Sequence, residues 1–214
     1  VSGPSRFGTN DRGSGSVFDI QVISFTAADA PASFERSLRE TGFAVLTDHP
    51  ITADRITAAY RSWASVFGSD DKLRFLRDPD RQDGYFPYRS ENAKDHPVKD
   101  LKEFFHVYPD GRLPETAEDV TRALYADLVD LGQTLLGWVQ DHADRAVRAG
   151  FSEPLTHMVA GSTENLLRIL HYPALPEGIE AGAVRAAEHG DINLITLLVA
   201  GTEPGLEARD TGGG

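Results

Sequence analysis

The sequence has no cysteine among its 214 residues. A chain without cysteine can form no disulfide, and it offers neither a thiolate ligand for a metal nor a thiol nucleophile. Any metal ion must therefore be held by histidine, aspartate or glutamate, which favours metals that accept nitrogen and oxygen ligands.

Long apolar runs are also lacking. No stretch approaches the roughly 18 uninterrupted apolar residues that a membrane span needs. The N-terminus does not show a basic segment followed by an apolar one, which is the arrangement typical of a secretion signal. We therefore expect neither a membrane span nor export, and the predicted location is cytoplasmic.

Positive charge is scarce, since 21 basic residues face 33 acidic ones and the formal net charge is −12. No cluster of lysine or arginine is interleaved with aromatic residues, so the concentrated basic surface that binds phosphate backbones is missing. We expect no nucleic acid and no membrane as a partner. The hydrophobic content of 40% is enough to fill a core, so we expect a folded, soluble protein.

Composition divides the chain into three regions. Residues 1–16 are rich in glycine and polar residues, and they predict a disordered leader because they have almost nothing to bury. Residues 17–155 alternate strand and helix signals and predict an α/β region. Residues 156–214 contain shorter, strand-like runs separated by turns.

Local signals predict the first elements of the α/β region. β-Branched and aromatic residues predict strands at 18–25 and 42–49. A helix is predicted from Pro31 to Gly42, with Phe34 and Leu38 on its buried face, and a second helix from a cap at Thr52 to about Phe67. The order strand, helix, strand, helix follows.

The rest of the chain is less regular, apart from one long helix. Residues 69–114 combine charges, prolines and aromatics, and they are predicted to wrap a surface or line a pocket. Runs at 165–173 and 192–200 are predicted to be strands. Between these segments, apolar residues at alternating four- and three-residue spacing predict a helix that stops at Gly150. Its stripe consists of Leu124, Leu128, Leu131, Leu135, Val139, His142 and Ala146.

Two His-x-Asp triplets occur, and the first lies on the predicted long helix. Side chains two residues apart on a helix point about 200° away from each other, so His142 and Asp144 cannot bind one ion. We expect His142 to be a hydrogen-bonded core or boundary residue on the apolar face, and Asp144 to face solvent.

The second triplet precedes the predicted strand at 192–200. On an extended backbone, His189 and Asp191 would point to the same side, and Gly190 between them would leave room for a ligand. An imidazole and a carboxylate are two of the three ligands of the 2-His-1-carboxylate set that binds iron(II). The alternative is an ordinary turn beside a strand.

The context of this second triplet resembles a known family. From Arg168 to residue 210, the chain carries in order a Tyr-Pro pair, a variable loop, His-x-Asp, a Leu-Thr-Leu-type strand and a Gly-Leu turn. This order resembles the signature of the isopenicillin N synthase-like non-haem Fe(II)/2-oxoglutarate-dependent dioxygenases. Residues 36–51 resemble the family's N-terminal strand, with Pro50 in place of a glycine, and KEFFHV at 102–107 is a looser match.

The resemblance implies an α+β fold, with a double-stranded β-helix (jelly-roll) oxygenase core and a helical N-terminal region. Residues 156–214 would hold the first strands of the jelly roll and the His-x-Asp motif. In the family a second histidine follows the aspartate, and an Arg-x-Ser after it binds the cosubstrate. Here no histidine follows His189, and the one Arg-x-Ser starts at Arg12. We therefore expect a jelly roll that is incomplete at the C-terminus.

The resemblance also implies the chemistry. The cofactors would be Fe(II), 2-oxoglutarate as cosubstrate and dioxygen, and the reaction the oxidation of an unactivated C–H bond of a small molecule by hydroxylation, desaturation or cyclisation. His189 and Asp191 would bind iron. Tyr172 and Arg168 would hold a carboxylate, and the alternatives are a core aromatic for Tyr172 and a surface residue for Arg168.

A cluster of aromatic residues is predicted to wall the substrate side, with plain packing as the alternative. It consists of Tyr85, Phe86, Phe105 and His106. We expect the chain alone to be a poor catalyst, with a C-terminal segment or partner chain supplying the second histidine and the Arg-x-Ser. The alternatives are an oxidase of the same fold that uses no 2-oxoglutarate, and a non-catalytic truncated relic or interaction module.

Overall fold

The computed structural model describes residues 20–91, 98–175, 177–180 and 182–207. The predicted leader lies outside these residues. The strands are β1 (Val22–Ser24), β2 (Val45–Thr47), β3 (Gly84–Phe86), β4 (Glu103–Val107) and β5 (Leu167–His171). The helices are α1 (Ala30–Thr41), α2 (Ala53–Phe67), α3 (Glu115–His142), α4 (Arg145–Arg148) and α5 (Leu155–Val159), with a 3-10 helix at Asp70–Phe75.

The chain forms two compact units, and the first contains β1, α1, β2, the end of α3 and α4. β1 and β2 are parallel, as the intervening helix requires, and Ile23 pairs with Leu46. Gly42 ends α1 in the left-handed conformation, with φ 80°, and its N–H donates to the carbonyl of Leu38 at 2.8 Å. Trp138 packs its ring on Phe34, with 5.9 Å between centroids. The predicted strands and helix are confirmed here, with β1 shorter than predicted.

The second unit contains α2, the 3-10 helix, most of α3, α5 and an antiparallel sheet in the order β3-β4-β5. Thr52 caps α2 as predicted, because its hydroxyl accepts from the N–H of Arg55 at 3.3 Å. The segment 69–114, predicted as irregular, contains β3 and β4. The sheet packs on α2 and α3 around a core that consists of Trp63, Val66, Phe67, Tyr85, Phe105, Val107, Leu113 and Ala117.

The three-stranded sheet has two different faces because side chains alternate along each strand. Glu103, Phe105 and Val107 point into the core just described, and we call this the core face. Phe104 and His106 point the other way, and register places them opposite Leu170 and Arg168 of β5. We call this second side the cavity face.

The predicted long helix is confirmed in type but not in its end. α3 ends at His142 instead of continuing to Gly150, and the short helix α4 follows. His142 is hydrogen-bonded as predicted, since its Nδ1 lies 2.9 Å from the carbonyl oxygen of Trp138, but its placement in the core or at its boundary is wrong, because the side chain is exposed. As the last residue of the helix, His142 meets open backbone carbonyls and solvent. Asp144 is exposed, as predicted.

Residues 192–200 do not form the predicted strand in the described part of the chain. An extended backbone becomes a stable strand only beside a neighbour that takes up its hydrogen bonds, and neither described sheet includes this segment. Ile192, Leu194 and Leu198 are consequently exposed. Among the helices of the described residues, none combines the length and the apolar character needed to cross a membrane.

Candidate iron and substrate site

His189 and Asp191 lie on an irregular segment that is tied to the start of β4. The N–H of Leu101 donates to the carbonyl of Val184 at 2.9 Å, and the N–H of Ala187 donates to Oδ1 of Asp100 at 3.1 Å. Asp100 and Ala187 are both buried. These bonds fix the backbone just before His189.

The two side chains approach each other. Nε2 of His189 lies 3.8 Å from Oδ1 of Asp191, and both side chains are about half exposed. Nδ1 of His189 is 2.8 Å from the carbonyl oxygen of Ala187. Because a carbonyl can only accept, Nδ1 donates this hydrogen bond, and Nε2 is the ring nitrogen that remains for a metal ion. Thr196 donates its hydroxyl to the other oxygen of Asp191, at 2.6 Å.

Arg168 lies within β5 and Tyr172 directly follows it, and the alternation of side chains places both on the cavity face. The Arg168 guanidinium pairs with Glu91 and lies over the Phe104 ring, 4.1 Å from its centroid. Burial raises the pKa of Tyr172, and the positive charges of Lys102 and Arg168 oppose this only in part. The hydroxyl of Tyr172 therefore stays protonated at neutral pH and can donate a hydrogen bond.

The surroundings of Tyr172 are rich in positive charge. Lys102, Arg168 and Arg185 all act on its hydroxyl, against the single carboxylate of Asp100. Lys102 is buried and pairs with Asp100 at 2.6 Å and with Glu91 at 3.3 Å. An excess of cations beside a hydroxyl donor suits an anionic ligand such as a carboxylate.

The four predicted substrate residues divide between the two faces of the sheet. Tyr85 and Phe105 belong to the packed core, and Phe105 is 0% exposed. Phe86 and His106 border a cavity of about 570 Å³ on the cavity face, and Tyr85 also contributes to its lining. Side chains alternate along a strand, so the rings of neighbouring residues lie on opposite faces of the sheet.

Sequence reasoning missed one residue of β4, Glu103, which is the centre of a buried polar network. Its carboxylate accepts from Tyr85, from Lys72 Nζ at 2.9 Å and from His171 Nδ1 at 2.7 Å. The available signal was a charged residue directly before a hydrophobic run, two positions from Phe105 and therefore on the same side of a strand as that residue.

Comparison with known proteins identifies the family. The family described as non-haem dioxygenase in morphine synthesis, N-terminal, matches residues 17–126, which is just over half of the 214 residues. The chain belongs to this non-haem dioxygenase family. The resemblance that the sequence suggested is thereby confirmed.

Individual members of the oxygenase group are similar over most of the chain. A structure from Shewanella oneidensis, described as an oxygenase, is 44% identical with a TM-score of 0.80, over 90% of this chain and 70% of that one. The 2-oxoglutarate-dependent dioxygenase ucsF of an Acremonium species is 25% identical over 82% of this chain. The chain spans 59% of the length of that curated relative.

A more distant structure shares the fold. A full-length Neurospora crassa protein, solved in complex with α-ketoglutarate and thymine, has a TM-score of 0.59 at 20% identity, over 79% of this chain and 61% of that one. An identity this low shows the fold alone. The neighbours thus support the oxygenase fold class of this non-haem dioxygenase.

The His189–Asp191 pair passes a chemical test for two of the ligands that a non-haem dioxygenase needs. Metal bonds of about 2.1 Å allow one ion to touch both atoms across 3.8 Å. A histidine that donates its other N–H to a backbone carbonyl, and a carboxylate held by a hydroxyl, are the supporting contacts typical of metal ligands. Within the described residues, no group of three His, Asp or Glu could hold a metal.

Proposed function

We propose that this chain is part of an iron(II)- and 2-oxoglutarate-dependent oxygenase that oxidises an unactivated C–H bond of a small molecule. One observation carries the proposal: Nε2 of His189 and Oδ1 of Asp191 lie 3.8 Å apart, so that one cation can contact both atoms. The dioxygenase family and the names of the relatives support iron as that cation.

In this proposal His189 and Asp191 hold iron(II), and bound iron supplies positions at which 2-oxoglutarate and dioxygen can react. Ala187 and Thr196 orient the two ligands through the hydrogen bonds described above. The protonated hydroxyl of Tyr172 donates to a cosubstrate carboxylate. Arg168 adds positive charge on the same side while it remains paired with Glu91.

The remaining parts of the site belong to the same proposal. A second histidine and a carboxylate-binding Arg-x-Ser would come from a C-terminal segment or a partner chain. Residues 192–200 would then become a jelly-roll strand, which agrees with the exposed side chains of Ile192, Leu194 and Leu198. The substrate would be small, as thymine is in the Neurospora complex.

Calorimetric titration with iron(II) under anaerobic conditions tests the iron site. We expect His189→Ala and Asp191→Ala each to weaken iron binding at least tenfold, because each removes one of two ligands. His142→Ala is the matched control, since it alters the other His-x-Asp triplet and should leave the affinity unchanged. Equal affinities in all four proteins would refute the site and favour a non-catalytic relic.

Addition of 2-oxoglutarate to the anaerobic iron complex tests the cosubstrate. We expect a visible charge-transfer band that is weakened by Tyr172→Phe, because this variant loses only the hydroxyl that donates to the carboxylate. In turnover, succinate should accumulate with the oxidised product. Iron binding with neither a band nor succinate would instead favour an oxidase of the same fold that uses no 2-oxoglutarate.

A further inference from the structure

The cavity face carries a cavity of about 570 Å³, a volume common for small-molecule sites. Its apolar and aromatic lining comes from Leu76, Tyr85, Phe86 and Pro87. Its polar lining includes Arg77, Glu91 and His106. A cavity of this mixed character accepts a small organic body and can select it by a few polar contacts.

His106 has a defined orientation of its ring nitrogens. Nδ1 lies 3.1 Å from the backbone carbonyl oxygen of Gln82. That oxygen can only accept, so Nδ1 carries the proton and the neutral ring has its lone pair on Nε2. Nε2 is buried and has no hydrogen-bond partner within the part of the chain that the structure describes.

The imidazole of His106 is neutral at physiological pH. Burial, followed by the positive charge of Arg168, lowers the pKa of His106 to about 4. A buried acceptor without a donor is costly, and native proteins normally satisfy such atoms with protein, water or ligand. His106 therefore presents an acceptor that lacks its donor.

The charged groups that border the cavity are already engaged. The Glu91 carboxylate receives both Arg168 and Lys102. Arg77 donates to the side-chain oxygen of Gln82 at 3.0 Å, and its guanidinium lies over the Phe86 ring, 5.5 Å from the centroid. Among the groups that line the cavity, Nε2 of His106 is therefore the hydrogen-bond acceptor that still lacks a donor within the described residues.

We propose that this cavity binds the organic substrate of the oxygenase, and that His106 selects an uncharged substrate with a hydroxyl or N–H donor attached to an apolar, planar body. The proposal rests on the proposed function for the identity of the ligand as substrate. A donor completes the hydrogen bond to Nε2, whereas a carboxylate would set its lone pairs against that of the imidazole. The Phe86 ring supplies the aromatic part of the wall.

Phenol and anisole form a matched pair of probes, since both are planar and apolar but only phenol can donate a hydrogen bond. Each is titrated into the protein labelled with ¹⁵N-histidine, and the Nε2 resonance of His106 is followed by NMR. We expect phenol to shift this resonance as a hydrogen bond forms, and to bind about tenfold more tightly than anisole or benzoate.

His106→Phe keeps the ring shape, and it should lower the affinity for phenol to that for anisole. His142→Phe is the control at an exposed histidine and should change neither affinity. Equal binding of phenol and anisole to the wild type overturns the proposal without reliance on any variant. The proposal is also overturned if Nε2 already accepts a hydrogen bond before phenol is added and its resonance does not change on addition. In that case Arg168 would already donate to Nε2, and no ligand would be needed. Neither measurement needs iron, so failure of the iron site is distinguishable from failure of this inference.

Discussion

The two faces of the β3-β4-β5 sheet are built from the same strands but satisfy their side chains differently. On the core face, Glu103 has three hydrogen-bonding partners, and Phe105 is completely buried against Trp63, 5.0 Å between ring centroids. On the cavity face, Nε2 of His106 and Nε of Arg168 are buried without a hydrogen-bond partner among the described residues. Adjacent residues of β4 thus differ: the side chain of Phe105 is fully packed, whereas that of His106 has a buried atom without a hydrogen-bond partner.

The difference in hydrogen bonding between the two faces separates the residues that stabilise the sheet from the residues that can bind a ligand. Satisfied groups on the core face contribute to folding, and removal of any of them should lower stability. Buried groups without a hydrogen-bond partner on the cavity face cost stability, and a ligand that supplied the missing partner would recover that cost. Substitutions on the core face should therefore act mainly on the free energy of unfolding, and those on the cavity face mainly on ligand binding.

The largest expected effect is that of truncation in the core. Phe105→Ala should lower the free energy of unfolding by about 3–5 kcal/mol, because it leaves a cavity in the fully buried cluster. Phe86→Ala is the matched truncation one face away, and we expect a loss of about 1 kcal/mol, since Phe86 borders open space. Urea unfolding measures both. Equal losses would remove the distinction between the faces.

The next effect concerns the polar network of the core face. Glu103→Gln should cost about 2 kcal/mol at neutral pH, because it removes the charge that Lys72, Tyr85 and His171 surround. Burial alone would raise the pKa of Glu103, but the hydrogen bonds outweigh it and the pKa is lowered.

A carboxyl with a lowered pKa stabilises the fold above the pKa of the unfolded chain, about 4.3, and loses this contribution as the pH falls further. The difference in unfolding free energy between wild type and Glu103→Gln should therefore shrink below about pH 4. Urea unfolding at several pH values measures this difference. A gap that stays constant down to pH 3 would show that the charge contributes nothing.

On the cavity face, His106 should make stability depend on pH in a range above that of Glu103. The pKa of His106 is lowered to about 4, so the unfolded chain, with an ordinary pKa near 6.5, binds a proton that the folded chain does not. Stability due to this group is complete above pH 6.5 and is lost towards pH 4, with a slope of at most about 1.4 kcal/mol per pH unit. His106→Phe should remove this slope, and an unchanged slope would assign it to other groups.

Local signals predicted the elements whose causes are local. The Thr52 cap and the Gly42 stop depend on one residue and its near neighbours, and both helices formed where these residues indicated. The strand predicted at 192–200 depends on another strand, which a pattern within the segment cannot supply. His142 was misplaced because the apolar stripe continued beyond the residue at which the helix ends.

The candidate site divides in the same way. The spacing of His189 and Asp191 predicted that their side chains point to one place, and they approach within 3.8 Å although the segment is not a strand. Their role as ligands stays a prediction. The network of Glu103 joins residues that are 18 to 68 positions apart, so it was invisible until the sheet register was known.

The smallest expected change in stability is that of a substitution at Arg168, whose charge acts mainly on the pKa of His106 on the cavity face. Its ion pair with Glu91 is partly exposed, so Arg168→Met should alter the free energy of unfolding by less than about 1 kcal/mol. The positive charge of Arg168 helps to lower the pKa of His106, and its removal should raise that pKa, as an NMR titration of the ring can measure. Arg77→Met removes another cation beside the same cavity and serves as the control, since Arg77 does not contribute to the lowered pKa of His106. If Arg168→Met left the pKa of His106 near 4, burial alone would keep the imidazole neutral. Nε2 would then remain a hydrogen-bond acceptor at neutral pH without the charge of Arg168.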